Sequence, residues 1–245
     1  MSNKLSLNVQ KTYYVVFHRA RLKLNSNMCI IMNGSELNRT HHVKYLGIII
    51  DDRLNWIQHL TYVKNKISKG IGIMYKARTY LDKKCMSNLY HTYIYPYLIY
   101  CIEVWGNSPK CHLNPILLLQ KKIVRIITCT HYLAHTENIF KELQILPIEK
   151  IFISRVGVFM YKHENGLLPR VMDELYVRTN TIHSHNTRNV NKLRISAGTE
   201  TFSHTSARIW NALESKIDVY VSMEKFKVSL NNFLQNNTLT IKYTK

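Results

Sequence analysis

An α+β fold, mostly α, is predicted for this chain: a small amino-terminal antiparallel β region followed by helices to the end. Three observations predict it. β-branched and aromatic runs separated by turn residues fill the first fifty positions. After Asp51-Asp52 the hydrophobic period lengthens from that of a strand to that of a helix. A content of 46% hydrophobic and 20% charged residues over 245 positions is globular and large enough to bury a core.

Residues 12–17 (TYYVVF) read as the first strand, bounded by Lys11 and the basic run 18–23. Residues 28–32 are a short apolar run ending at Asn33-Gly34, a dipeptide suited to a type I′ hairpin turn. Residues 43–50 (VKYLGIII) read as a third strand, apolar enough at its end for burial on both faces. The three are expected to make one small antiparallel sheet, covered by helices because three strands alone are marginal.

In the next segment Trp56, Leu60, Val63, Ile67, Ile71 and Met74 trace one helical face, with Lys64, Lys66, Lys69 and Lys76 elsewhere around it. Gly70 and Gly72 weaken that helix, each by about 1 kcal/mol relative to alanine. A second helix is predicted over 82–95, with Leu89, Tyr93 and Tyr97 on its apolar side and Pro96 kinking or ending it. A third, over 114–128, should bury Leu117, Gln120, Val124 and Ile127 and carry Lys121, Lys122 and Arg125 on the neighbouring face. No acid lies between Glu103 and Glu137, so that face is positive.

Two further helices are predicted over 136–144 and 148–164, stopped by Asn165-Gly166 and Pro169. Residues 178–198 are basic and weakly periodic, with Arg178, Arg188, Lys192 and Arg194, and read as a long surface loop. Amphipathic character returns over 205–217 and 223–234. The organisation expected is therefore 1–54, 55–130 and 131–245.

Charge narrows the function. Thirty-four Lys and Arg against 15 Asp and Glu give a net charge of +19, a self-repulsion that a polyanion would relieve. Nucleic acid is the first candidate partner and an anionic membrane surface the second; the bland alternative is an AT-biased coding sequence. No stretch joins a strong apolar face to a dense basic one, which counts against the membrane. The five cysteines are odd in number and lack C-x-x-C spacing, as expected of reduced thiols in an intracellular protein, nuclear or cytoplasmic and not secreted. Residues 1–10 lack a signal peptide's apolar stretch, and the most apolar run, 93–102, is short and contains Pro96.

Few residues suggest bond-making chemistry. Asp51-Asp52 after an apolar strand resembles the turn with which template-directed polymerases hold two magnesium ions. Such a site needs a further carboxylate, and upstream of Asp51 only Glu36 is acidic. The pair therefore reads as structural, one aspartate capping the following helix. Cys129, His131 and His135 offer three ligands without a fourth at recognisable spacing, so no metal is assigned. His183 and His185 fit contact with phosphate or solvent better than metal. Neither a phosphate-binding glycine loop nor a nucleophile elbow is present.

Several segments, in order, resemble one family. Residues 3–17 (NKLSLNVQKTYYVVF) look like the segment after the catalytic aspartates of non-LTR retrotransposon (LINE-like, jockey-like) reverse transcriptases. Residues 42–56 (HVKYLGIIIDDRLNW) look like their next motif, a hairpin that grips the primer end. The resemblance continues at His59, at 97–106 (YLIYCIEVWG), 120–127 (QKKIVRII), Asn186-Thr187-Arg188 and 210–213 (WNAL). It implies that Lys11 occupies the position of a lysine assisting pyrophosphate departure, that Tyr45, Leu46 and Gly47 lie at the primer grip, and that the helices after Trp56 form a thumb. It also implies that 1–54 is a palm remnant and that palm and fingers with the aspartates, and their Mg2+, belong to the full-length polymerase. Glu214 stands where relatives usually have proline. The function expected is a polymerase fragment that holds template-primer RNA and DNA through Lys11, Tyr45, Leu46, Gly47, Lys64, Lys121, Lys122, Arg125 and Arg188, and is inactive alone. The alternative is a stand-alone nucleic-acid-binding protein derived from a mobile element.

Overall fold

Short strands open the chain in the computed structural model, which describes residues 8–18, 29–178, 192–195 and 201–237. They are β1 (Tyr13–Tyr14), β2 (Ile31–Met32), β3 (Ser35–Glu36), β4 (Asn38–Arg39), β5 (His42–Tyr45) and β6 (Ile48–Asp51). Nine α-helices follow among the described residues: α1 (Ile57–Ala77), α2 (Lys83–Tyr93), α3 (Tyr95–Ile99), α4 (Ile102–Trp105), α5 (Lys110–Ile127), α6 (Glu137–Glu142), α7 (Ile148–Glu164), α8 (Phe202–Glu214) and α9 (Met223–Asn236). The mostly helical α+β class is as expected. The chain divides into two compact units, Met1–Val63 and Lys64–Lys245, with the boundary inside α1.

In the first unit the strands form three separate pairs instead of one antiparallel sheet, and β1 runs parallel to β4. Asn33-Gly34 closes the β2–β3 hairpin with both φ angles positive (51° and 75°), as a type I′ turn demands. Residues 43–50 are not a strand. The chain reverses at Leu46-Gly47 (φ 45° and 85°), and β5 and β6 pair from His42 opposite Asp51 to Tyr45 opposite Ile48. The mostly apolar run concealed its own turn, because Gly47 alone signals a left-handed position and the other is taken by a leucine, which sequence does not mark.

In the second unit α7 is the central helix. It packs against α3, α4, α5, α8 and α9 and buries Ile148, Ile151, Phe152, Val156, Met160 and Tyr161. A helix buried on several sides needs no polar face, and it runs over the predicted 148–164. On α1, Ile67, Ile71 and Met74 are buried as the period predicts, and Lys64, Lys69 and Lys76 are exposed. Gly70 is more than a weak point: a Cβ there would lie 2.3 Å from Ile94 Cδ1, so the missing side chain makes room for Ile94.

That packing also corrects the face of the second helix. Met86, Tyr90, Ile94 and Leu98 are fully buried, whereas Leu89 and Tyr97 are half-buried and Tyr93 is exposed. Both series repeat every four residues, and the buried one includes the isoleucine that meets Gly70. Pro96 ends α2 and starts α3, and Asp82 caps α2 by accepting from the Cys85 N–H. On α5 Gln120, Val124 and Ile127 are buried as expected, but Leu117 is only half-buried; Leu113, Ile116 and Ile123 fill the core instead.

Residues 192–195 depart from the surface-loop expectation. Leu193 is buried and bridges to Arg178, while the Arg194 N–H donates to the Val177 carbonyl at 2.8 Å. His183, His185 and Arg188 lie outside the described residues.

Candidate nucleic-acid interface

The β5–β6 hairpin presents its tip to solvent, with Tyr45 62% and Leu46 73% exposed. A leucine in the left-handed region costs about 1–2 kcal/mol, so the structure beneath must hold the turn in place. That structure is polar. The buried Asp51 carboxylate accepts three backbone N–H groups: Arg53 and Asn55 on Oδ1 (3.2 and 3.1 Å) and Trp56 on Oδ2 (2.8 Å). Leu54 and Trp56, inside this loop, also have positive φ. The D-x-x-L-x-W spacing thus encodes a carboxylate and the strained loop that it clamps. The cap expected from this pair falls on the loop ahead of α1; the first helical N–H, of Ile57, is taken by the Asn55 side chain.

Asp52 faces the other way. Its Oδ2 accepts from His41 at 2.8 Å and lies 3.6 Å from His18 Nε2. The His41 hydrogen bond holds its carboxyl below the usual aspartate range. His59 completes the support: its buried Nδ1 accepts the Ile49 N–H at 3.4 Å, and burial keeps the ring neutral, with its pKa lowered to about 4. Lys11, last residue of a 3-10 turn over Val9–Lys11, is exposed ahead of β1.

In the second unit Lys64, Lys69 and Lys76 on α1 and Lys121 and Lys122 on α5 have no carboxylate partner among the described residues. Lys122 is exposed and Lys121 half-buried. Arg125 donates through Nε to the Ala134 carbonyl at 2.9 Å, so part of its guanidinium fastens the turn after α5. Lys64 and the α5 cations sit on different helices, and no hydrogen bond or ion pair links them.

Other motif residues hold the fold together. Gln120 is buried between α5 and α7: its Oε1 accepts the Ile148 N–H at 2.7 Å, and its Nε2 points to the Leu146 carbonyl and the Tyr90 hydroxyl. In the 210–213 motif Trp210 and Leu213 are core, and Asn211 grips Leu193 with two hydrogen bonds, of 3.1 and 2.9 Å. Sequence reasoning missed this clasp; a polar residue between two apolar ones on a helix was its only trace. Trp105 is fully buried with Nε1 donating to the Tyr100 carbonyl, and a Cβ on Gly106 would lie 2.4 Å from the Phe152 ring. Cys129 and His131 engage local backbone through Ile126 and Leu133, and no metal-holding group of three His, Cys, Asp or Glu occurs among the described residues. No helix among these residues is long and apolar enough to cross a membrane.

No family model matches the chain, and no solved structure does. Curated proteins do. Over 59% of this chain and 16% of the relative, it is 31% identical to the RNA-directed DNA polymerase from mobile element jockey of Drosophila funebris. Over 69% of this chain and 19% of the relative, it is 29% identical to the probable RNA-directed DNA polymerase from transposon BS of Drosophila melanogaster. The same fly's probable RNA-directed DNA polymerase from transposon X-element is 22% identical over 59% of this chain. The chain spans under a fifth of the length of these relatives. In sequence, the chain is similar to RNA-directed DNA polymerases of non-LTR retrotransposons.

Proposed function

We propose that this chain holds template-primer nucleic acid, as the primer-grip, thumb and following region of a non-LTR retrotransposon reverse transcriptase, and does not itself transfer nucleotides. In this reading 1–54 belongs to the palm, 55–130 is the thumb and 131–245 is the carboxy-terminal region. The carboxylates and Mg2+ that perform the transfer belong to the full-length polymerase. The observation that carries it is Lys64, Lys69 and Lys76 on α1 and Lys121 and Lys122 on α5, without carboxylate partners among the described residues, in a chain of net charge +19. Such faces attract phosphates whatever the base sequence. The exposed Tyr45-Leu46 tip, clamped from below by Asp51, adds a rigid feature that can pack against a primer end.

The test is fluorescence anisotropy of a labelled RNA–DNA hybrid across a salt series. The logarithm of affinity should fall linearly with the logarithm of salt, and Lys121→Gln/Lys122→Gln should lower that slope by about 1 to 2, close to one per lost phosphate contact. An unchanged slope would remove α5 from the interface. Robust primer extension by the purified chain would overturn the division of labour.

A further inference from the structure

Within the second unit α2, α3, α4, α7, α9 and the loops flanking α7 line a cleft of about 630 Å³, remote in sequence from the α1 and α5 lysines. Pockets of roughly 300–1,000 Å³ hold small ligands. Its charge is positive: Arg155, Lys162 and Lys227 line it against one carboxylate, Glu103. Arg155 meets Glu103 through Nε at 2.9 Å, leaving its terminal nitrogens unengaged, and Lys162 and Lys227 have no partner among the described residues. Aromatic surface lies beside these cations, where His91 and Tyr95 stand edge to face with centroids 5.4 Å apart.

Gln235 singles the cleft out. Its side chain is nine-tenths buried, lines the cavity, and has no hydrogen bond among the described residues. Its amide reaches the solvent of the cleft and offers both a donor and an acceptor to whatever enters. A phosphate alone would use the cations and leave rings and amide idle. A duplex hides its base faces in the stack and its pairing edges in base pairs. An unpaired nucleotide presents all three complements at once: phosphate, ring face and hydrogen-bonding edge.

We infer that this cleft binds one or two unpaired nucleotides of a single strand, such as a tail continuing from the duplex. The inference rests on the nucleic-acid reading above but uses different residues, so the two can fail separately. Anisotropy is measured with a blunt hybrid, the same hybrid carrying a single-stranded tail, and the tail oligonucleotide alone. The tail should tighten binding by about tenfold, the scale of one stacked base. Lys162→Ala/Lys227→Ala should reduce that advantage to within about twofold while blunt-hybrid binding changes little. Lys121→Gln/Lys122→Gln should do the reverse. In addition, 4-thiothymidine in the tail should photocrosslink within 90–95 or 227–235.

Blunt binding without any tail advantage would overturn the cleft site and leave the duplex reading standing. Tail binding that needs Lys162 and Lys227, with no blunt binding, would sustain the cleft and sink the duplex reading. Failure of all three probes sinks both. Competition by adenosine monophosphate as tight as by the tail would mean a free-nucleotide site and overturn the strand assignment.

Discussion

Among the described residues of Met1–Val63 the buried apolar side chains are Leu37, Ile48, Leu60 and Val63, beside a buried aspartate and a buried histidine. In Lys64–Lys245 a single helix, α7, buries more apolar side chains than that, and two tryptophans are enclosed as well. The first unit is thus held largely by specific polar contacts to backbone, the second by packing. Contacts of the first kind fix individual backbone groups and keep a strained hairpin tip in one conformation. Packing gives a stable body whose surface is free to carry lysines. On the proposed reading, the first unit would supply the grip and the second the charged face.

The contrast breaks most readily at Trp105, fully enclosed in the second unit. Trp105→Ala should cost about 4 kcal/mol, as truncations of buried tryptophan do, read from urea unfolding by circular dichroism. A loss below about 1 kcal/mol would show that the core collapses around the cavity and that packing is not what sustains this unit.

How far the sequence led depended on which kind of contact a residue makes. The helices of the second unit were legible because burial imposes a period, and 148–164 agrees to the residue. The face of α2 was misplaced since Leu89, Tyr93 and Tyr97 satisfy the same period as Met86, Tyr90 and Ile94. The space at Gly70 for Ile94 and the Gln120 hydrogen bond to Tyr90 fix which series is buried. The turn at Leu46-Gly47 was hidden in an apolar run, although the resemblance to a primer-gripping hairpin implied it. The lysines of α5 were visible as a positive face. The jobs of Gln120, Asn211 and Asp51 were not, because a hydrogen bond to a distant backbone group leaves no periodicity.

A smaller effect sharpens the comparison through pH. Burial lowers the His59 pKa to about 4 from an ordinary value near 6.5, so the unfolded chain binds more protons between those limits. The stability it contributes is complete above pH 6.5 and is lost as pH falls towards 4, by up to about 3 kcal/mol. His59→Asn, whose side-chain oxygen can still accept the Ile49 N–H, should flatten that part of the profile. The quantity to measure is the difference between the two proteins' stabilities at each pH, since other acids titrate in the same range. A difference that stays constant from pH 7 to 4 would mean that protonated His59 is tolerated and the support of β6 is not polar in the way described.

The most discriminating change is also the mildest. Asp51→Asn preserves shape and leaves one oxygen, which can keep the Arg53 and Asn55 N–H groups, but it turns an NH2 donor toward the Trp56 N–H. One charge-assisted hydrogen bond is lost and two donors meet, at a cost of about 2 kcal/mol. Hydrogen exchange localises it: the Trp56 amide should exchange roughly thirtyfold faster, with amides of α7 unaffected. Affinity for a primer-template should fall with it if the tip grips the primer, because Leu54 and Trp56 then relax from their left-handed conformations and the hairpin base loosens. Faster exchange at Trp56 with unaltered affinity would separate the clamp from the grip. The Tyr45-Leu46 tip would then be a structural hairpin, and the holding of nucleic acid would fall to the packed unit alone.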